Sequence, residues 1–217
     1  MTANLKSLTV TALMGGMGMR KTAGTLALVA TLAAVTAQPH AADGDGDFAV
    51  KGVGFETCER YLSAKDSGGN GYVMFRSWLN GFVTAYNARS DDLYDVSPIY
   101  NIDVLSQAVA NICASQPETR FTGAALGLMQ QIADDGLKRK SPSVAMEANG
   151  QTVRLPREIL RRAQARLQAL GHYSGGVDGV YGPGTQSAFE RFQNANDLAA
   201  SGLPDTLTLV RLFADGS

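Results

Sequence analysis

Residues 156–195 read PREILRRAQARLQALGHYSGGVDGVYGPGTQSAFERFQNA, and this stretch decides how the end of the chain folds. Pro156 suits the first position of a helix, where a missing N–H is no loss. Leu160, Ala163, Leu167 and Leu170 follow at helical spacing, and Gly171 ends the run as a C-terminal cap. A Gly-rich loop, HYSGGVDGVYGPG, comes next. A second helix is expected to carry Ala188, Phe189 and Phe192 on one face, with Thr185 capping its start. A third short helix should begin at Asp205 or Thr206 and present Leu207, Val210 and Phe213. Three such helices, about 60 residues in all, are near the lower size limit for an independent core.

The order AQARLQALGHYSG, VDGVYGPGT, SAFERFQNANDL, SGLPDTLTL closely resembles the peptidoglycan-binding type 1 domain. The resemblance rests on the joint occurrence of Gln164, Leu167, Leu170, Gly171, Asp178, Gly179, Gly182, Thr185, Phe192 and Gln193. It implies a non-catalytic module whose ligand is peptidoglycan. Most of the signature has a structural reason. Asp178 can accept from loop N–H groups, as aspartates do in turns. Gly179 and Gly182 permit backbone angles that a Cβ resists. Phe189 and Phe192 fill the core. The residues left for the ligand are Tyr173, Asp178, Tyr181, Arg191, Gln193 and Asn194, because aromatic faces, amides and guanidinium donors suit sugars and peptide carboxylates. Relatives often carry a second aromatic before the loop glycine, where this chain has His172-Tyr173-Ser174. Arg157, Arg161, Arg162 and Arg166 lie along the first helix, either as a basic ridge facing an anionic wall or as a solvated face.

Upstream, apolar residues recur at helical spacing over residues 54–138. A short helix carries Phe55, Cys58, Tyr61 and Leu62, and SGGNG at 67–71 breaks it. A second runs from about Tyr72 to Ala88, with Phe75, Trp78, Leu79, Phe82 and Tyr86 on one stripe. Residues 90–100 form a polar loop. A third helix carries Ile102, Leu105, Val109 and Ile112, with Asp103 in its first turn, and a fourth carries Phe121, Ala125, Leu128 and Ile132. Four such helices can bury a common core. Asn149-Gly150 between two alternating runs predicts a hairpin over residues 144–155.

The start of the chain reads as an export signal. Met19-Arg20-Lys21 is cationic, TAGTLALVATLAAV at 22–35 is apolar, and a small-residue stretch follows to Ala42. The apolar run is shorter than the roughly 20 residues that span a bilayer. Met17 or Met19 would give a more usual start, and cleavage is expected near Ala37, Ala41 or Ala42. In an oxidising compartment the two cysteines, Cys58 and Cys113, are most simply a disulfide. The acidic DGDGD at 43–47 fails as a calcium loop, since its twelfth position is Gly54 rather than Glu. The sequence CERYL, YVMFRSWLNGFVTAYN, VANICASQPE resembles the HdeA-like and Tai immunity-protein group of exported, disulfide-linked helical proteins. That resemblance rests on Cys58, Cys113, Gly81 and Pro117 and implies chaperone or toxin-neutralising work.

A formal charge of −1 gives no basic excess, so nucleic acid is not an expected partner. Outside the leader there is one histidine, His172. A zinc hydrolase needs several His, Asp or Glu ligands, and a cysteine transpeptidase needs a thiolate paired with His. The expectation is therefore no catalysis, no metal and no cofactor. The alternative is a wall glycan hydrolase using Glu56, Glu59 or Glu118. The expected architecture is mostly α. It has a leader and signal peptide over 1–42, a flexible mature N-terminus over 43–53 and a disulfide-linked four-helix domain over 54–138. A linker with a β-hairpin spans 139–155, and a three-helix peptidoglycan-binding module spans 156–217. The expected location is the periplasm or cell envelope, with the membrane met only during export. The expected partners are peptidoglycan and a protein bound by the helical domain.

Overall fold

A computed structural model describes residue 43 and residues 47–214; the expected leader lies outside the described residues. The first layer begins with a 3-10 turn at Gly52–Phe55, followed by α1 (Cys58–Ser67), α2 (Gly69–Arg89), α3 (Ile102–Ser115) and α4 (Phe121–Ile132). Thr57 caps α1 by accepting from the Arg60 N–H at 3.2 Å. Asn101 caps α3 with both the Asp103 and Val104 N–H groups on its side-chain oxygen. Helices α1 and α2 are almost contiguous. The SGGNG break narrows to Gly68 and Gly69, whose φ values of 67° and 69° turn the chain at a cost only glycine avoids. So α2 starts three residues before Tyr72, and residues 69–71 are helical.

Aromatic packing holds this layer. Tyr61, Phe75 and Phe121 meet with ring centroids 4.6–5.2 Å apart, in the tilted and edge-on arrangements such rings prefer. The Tyr61 hydroxyl donates to the Ser106 carbonyl at 2.7 Å, which satisfies its one polar atom. Burial raises the Tyr61 phenol well above its ordinary value, and neighbouring Tyr72 adds to the shift. Phe55 departs from the expected stripe. It sits in the 3-10 turn, mostly exposed, with the Arg120 guanidinium 3.5 Å above its ring. The same turn slides under Trp78, whose ring lies where a Cβ on Gly54 would be. Trp78 Nε1 donates to the Lys51 carbonyl at 2.8 Å. Cys58 and Cys113 are fully buried and joined in a disulfide, which ties α1 to α3.

The second layer consists of the hairpin β1 (Ser143–Ala148) and β2 (Gln151–Pro156), then α5 (Arg157–Ala169), α6 (Pro183–Ala195) and α7 (Thr206–Ala214). The strands are antiparallel, with Val144 opposite Leu155 and Met146 opposite Val153. Asn149 and Gly150 have φ 52° and 74°, the two left-handed residues a tight hairpin turn requires. Met146 and Leu155 point into a core shared with Leu160, Leu167, Phe189, Phe192 and Leu209. That packing gives a two-stranded ribbon the support it lacks alone. Pro156 closes β2 and stands as the N-cap of α5 with ψ 134°, so the helix begins one residue later than the sequence suggests.

The two cores are stitched by loops rather than by helices. Tyr94 and Asp95 pair with Leu137: Tyr94 N–H donates to the Leu137 carbonyl at 2.7 Å, and Leu137 N–H returns to the Asp95 carbonyl at 2.8 Å. Val96 is buried in the helical core while Leu137 is buried in the hairpin core. The stretch at 90–100 thus contributes to the interior of the protein. Arg162 on α5 adds a clasp, donating to the carbonyls of Asp135 at 2.6 Å and Gly136 at 3.2 Å. Among the described residues no helix is long and apolar enough to cross a membrane.

The disulfide spans a sequence separation of 55. Closing such a loop in the unfolded chain is worth about 4 kcal/mol in the chain-entropy view. Replacing both cysteines by alanine should lower the urea-unfolding free energy by about that amount. A loss under about 1 kcal/mol would show that the clamp adds little to the packing it joins.

Candidate functional site

The Gly-rich loop between α5 and α6 is built around one buried side chain, Gln164. Its Oε1 accepts from the backbone N–H of Asp178 at 3.0 Å and of Gly179 at 2.7 Å. Its Nε2 donates to the Val180 carbonyl at 2.9 Å, to Thr185 Oγ1 at 3.1 Å and to Asp178 Oδ1 at 3.3 Å. Every polar group of the amide is therefore used, as burial in a small core demands. Asp178 Oδ1 also accepts from the Val180 N–H at 2.9 Å. That backbone bond and the Gln164 amide hold the Asp178 carboxyl below its ordinary value. Gly179 has φ 69° and presses against Arg157, whose Cγ and carbonyl O lie 2.6 and 2.7 Å from where a Cβ would stand. Both the backbone angle and the space exclude a larger residue.

A second amide repeats the plan. Gln193 Oε1 accepts from the Gly202 N–H at 2.8 Å. Its Nε2 donates to the Leu203 carbonyl and Thr208 Oγ1, both at 2.9 Å, and to Ser201 Oγ at 3.1 Å. Gly202 has φ 72°. Ser201 takes the place of Asp178, Gly202 of Gly179, Leu203 of Val180 and Thr208 of Thr185. Each pair is separated by the same interval, so the module holds the two loops in one way. The signal was present in the sequence as D-G-V followed by Thr and S-G-L followed by Thr at matching offsets. The sequence reading gave no role to Ser201, Gly202 or Thr208.

This geometry revises several expectations. Gln193, a candidate ligand contact by residue type, is fully buried and spends its amide on the second loop. Thr185 does not cap α6. The helix starts at Pro183 with Gly182 as N-cap, and Thr185 is buried with its hydroxyl turned back to the Val180 carbonyl at 3.2 Å. Gly182 has extended backbone at φ −140°, so it meets no left-handed requirement. Gly171 does have φ 77° and follows Leu170, the C-cap of α5, where its N–H donates to the Gln168 carbonyl at 3.0 Å.

The remaining candidates divide by how much of each side chain the fold already uses. The Tyr173 hydroxyl donates to the Gly176 carbonyl at 2.9 Å, and the ring packs over Gly175 and Gly184. The Tyr181 hydroxyl donates to the Gly202 carbonyl at 2.8 Å, which joins the two loops to each other. Burial raises the Tyr181 phenol, with the Glu190 charge adding to it. Arg191 is exposed and grips the His172 carbonyl with Nε at 3.1 Å and Nη2 at 2.7 Å. Arg191 is therefore held to the turn after α5, at the carbonyl of the residue before Tyr173. Asn194 is exposed, and its side chain makes no hydrogen bond among the described residues. The arginine ridge is largely occupied. Arg161 pairs with Glu158 through two 2.8 Å bonds, Arg162 shares Glu158 and clasps two carbonyls, and Arg166 donates to the Leu212 carbonyl.

Among the described residues no group of three His, Cys, Asp or Glu side chains comes together as a metal site. His172 lies edge-on to Phe192 at 5.7 Å.

Removing the Gln164 amide strands the buried Gly179 N–H and the Asp178 N–H, while the Val180 carbonyl keeps the Thr185 hydroxyl. Each orphaned buried group costs about 1–3 kcal/mol. Gln164→Met, which keeps the volume, should therefore cost about 3 kcal/mol in urea unfolding. A cost under about 0.5 kcal/mol would mean that the loop holds its shape without the amide.

No curated protein and no solved structure matches the chain. The family model described as a peptidoglycan binding domain matches residues 156–212, the segment from the end of β2 through most of α7. Residues 156–212 accordingly form a C-terminal domain that matches the peptidoglycan binding family, and the match supports a peptidoglycan-binding role for this segment.

Proposed function

We propose that the protein is an exported, non-catalytic peptidoglycan-binding protein of the cell envelope. The C-terminal domain holds it to the wall, and the disulfide-linked helical domain meets a protein partner in chaperone-like or immunity-like work. The observation that carries the reading is the match over residues 156–212 on loops braced by two buried glutamines. The bracing leaves the Asn194 amide, the exposed Asp178 carboxylate and the exposed edge of Arg191 for polar contact with a sugar or peptide. Tyr173, the residue after the carbonyl that Arg191 grips, adds an aromatic face.

What supports a non-catalytic role is the placing of the candidate acids. Glu56, Glu59 and Glu118 are all exposed, whereas glycoside hydrolysis uses carboxylates that flank a bound sugar in a cleft. None of the three lines the clefts found where the two cores meet.

Sedimentation with purified sacculi, combined with assay of released muropeptides, tests this. The purified protein should pellet with the wall and release nothing. The double variant Arg191→Ala/Asn194→Ala should bind about tenfold more weakly, which corresponds to about 1.4 kcal/mol. Protein that stays in the supernatant contradicts the tether. Muropeptide release that disappears in Glu59→Gln contradicts the non-catalytic reading.

A further inference from the structure

We propose that the cleft at the seam between the two cores binds a small zwitterion, a free dipeptide, with its carboxylate on Arg166 and its ammonium group beside Asp135 and Tyr100. The cleft has a volume of about 310 Å³, at the lower end of the roughly 300–1,000 Å³ of small-molecule sites. Its lining combines residues of both cores: Tyr100 and Asp135 come from the helical layer, and Ile159, Arg166, Val210 and Phe213 from the C-terminal domain.

The chemistry of the lining selects the ligand. Arg166 lies on α5 and donates only Nε–H to the protein, to the Leu212 carbonyl at 3.3 Å. Both of its Nη groups are without a protein partner among the described residues. A guanidinium edge with two free donors is the fork that receives a carboxylate. Asp135 lines the same cleft, and its carboxylate forms neither an ion pair nor a hydrogen bond among the described residues. The Tyr100 hydroxyl likewise makes no hydrogen bond among the described residues. Burial raises the Tyr100 phenol, and the Asp135 charge raises it further, so the two groups already share a field that a cation would relieve.

Arg162, the other guanidinium of the cleft, does not compete. Each of its three nitrogens donates once, to Glu158 and to the carbonyls of Asp135 and Gly136, which fixes it as a wall. With Arg162 paired to Glu158, Arg166 and Asp135 face one cleft without forming an ion pair with each other, above a floor of Ile159, Val210 and Phe213. A ligand with both charges and a small apolar side chain satisfies all three features. A purely anionic ligand leaves Asp135 opposed, and a purely apolar one leaves Arg166 unmet.

The site is separate from the face that holds the wall, so the two readings fail separately. Two sources supply such a ligand: a free dipeptide of D-amino acids or a free dipeptide of L-amino acids. The probes are D-alanyl-D-alanine and L-alanyl-L-alanine, each also as the N-acetyl and the C-amide derivative. They are titrated into the purified full chain by calorimetry or amide chemical shift.

The free dipeptide should bind, and capping either end should weaken it at least tenfold. In Arg166→Gln the C-amide should bind as well as the free acid, and in Asp135→Asn N-acetylation should no longer matter. The preferred stereoisomer identifies the source. Asp135 carries no bond that folding needs, so its variant keeps the test open if Arg166→Gln unfolds. Equal binding of free and capped forms overturns the proposal, as does no binding at all. Binding that appears only after deletion of residues 215–217 overturns it too, because the chain's own tail would then be the occupant. Sacculus sedimentation should be unchanged in Asp135→Asn whichever way the titration falls.

Discussion

A primary amide buried in a core of three short helices has to use each of its donors and acceptors, and here that requirement shapes the C-terminal domain. Gln164 and Gln193 each sit at no exposure, and each converts a glycine loop into a fixed surface. The loops contain no regular structure, so their backbone groups need partners from elsewhere. The glutamines supply those partners from the helices beneath. The left-handed glycines at 179 and 202 then follow, because only that backbone turn directs an N–H at each amide oxygen. The Tyr181 hydroxyl ties one loop to the other and makes a single unit of the two. Polar networks of this sort are favourable only when complete, which leaves these positions little freedom to vary.

The helical layer relies on a different device. Its core is aromatic and its ends are closed by a disulfide, and few of its side chains hydrogen-bond to one another. The joint between the layers carries the consequence for function. Leu137 pairs through its backbone with Asp95, yet Leu137 enters one core and Val96, the residue after Asp95, enters the other, and Arg162 clasps the chain where it leaves α4. A wall-bound C-terminal domain would therefore hold the helical domain at a set distance and angle rather than on a loose tether. It also brings residues of both layers to one cleft.

Much of this was legible in the sequence, for physical reasons that differ from place to place. The helices of both layers announce themselves by periodicity, since Phe75, Leu79, Leu105, Val109, Leu160 and Leu167 must each face a core. Asn149-Gly150 is legible because few other pairs adopt two left-handed residues in a row. The two cysteines were legible as a pair. What the sequence concealed was the direction of polar side chains. Gln193 and Thr185 look like surface residues by type and are buried by partnership. Phe55 looks like core by type and lies outside, held by a cation above its ring. Leu137, in a run that ends in Lys-Arg-Lys, gives no sign that it crosses into the neighbouring core. Periodicity reports which face is apolar; it does not report which polar atoms find each other.

Native-state hydrogen exchange at Gly179 and Gly202 measures the central constraint directly. Both amides lie in loops, where exchange is ordinarily fast, yet both donate to a buried glutamine oxygen. The account predicts that they exchange within about tenfold of the slowest amides of α5, through unfolding of the whole domain. If they exchange as fast as the exposed Gly175 and Gly176 of the same loop, the glutamines are not what holds the binding surface in shape.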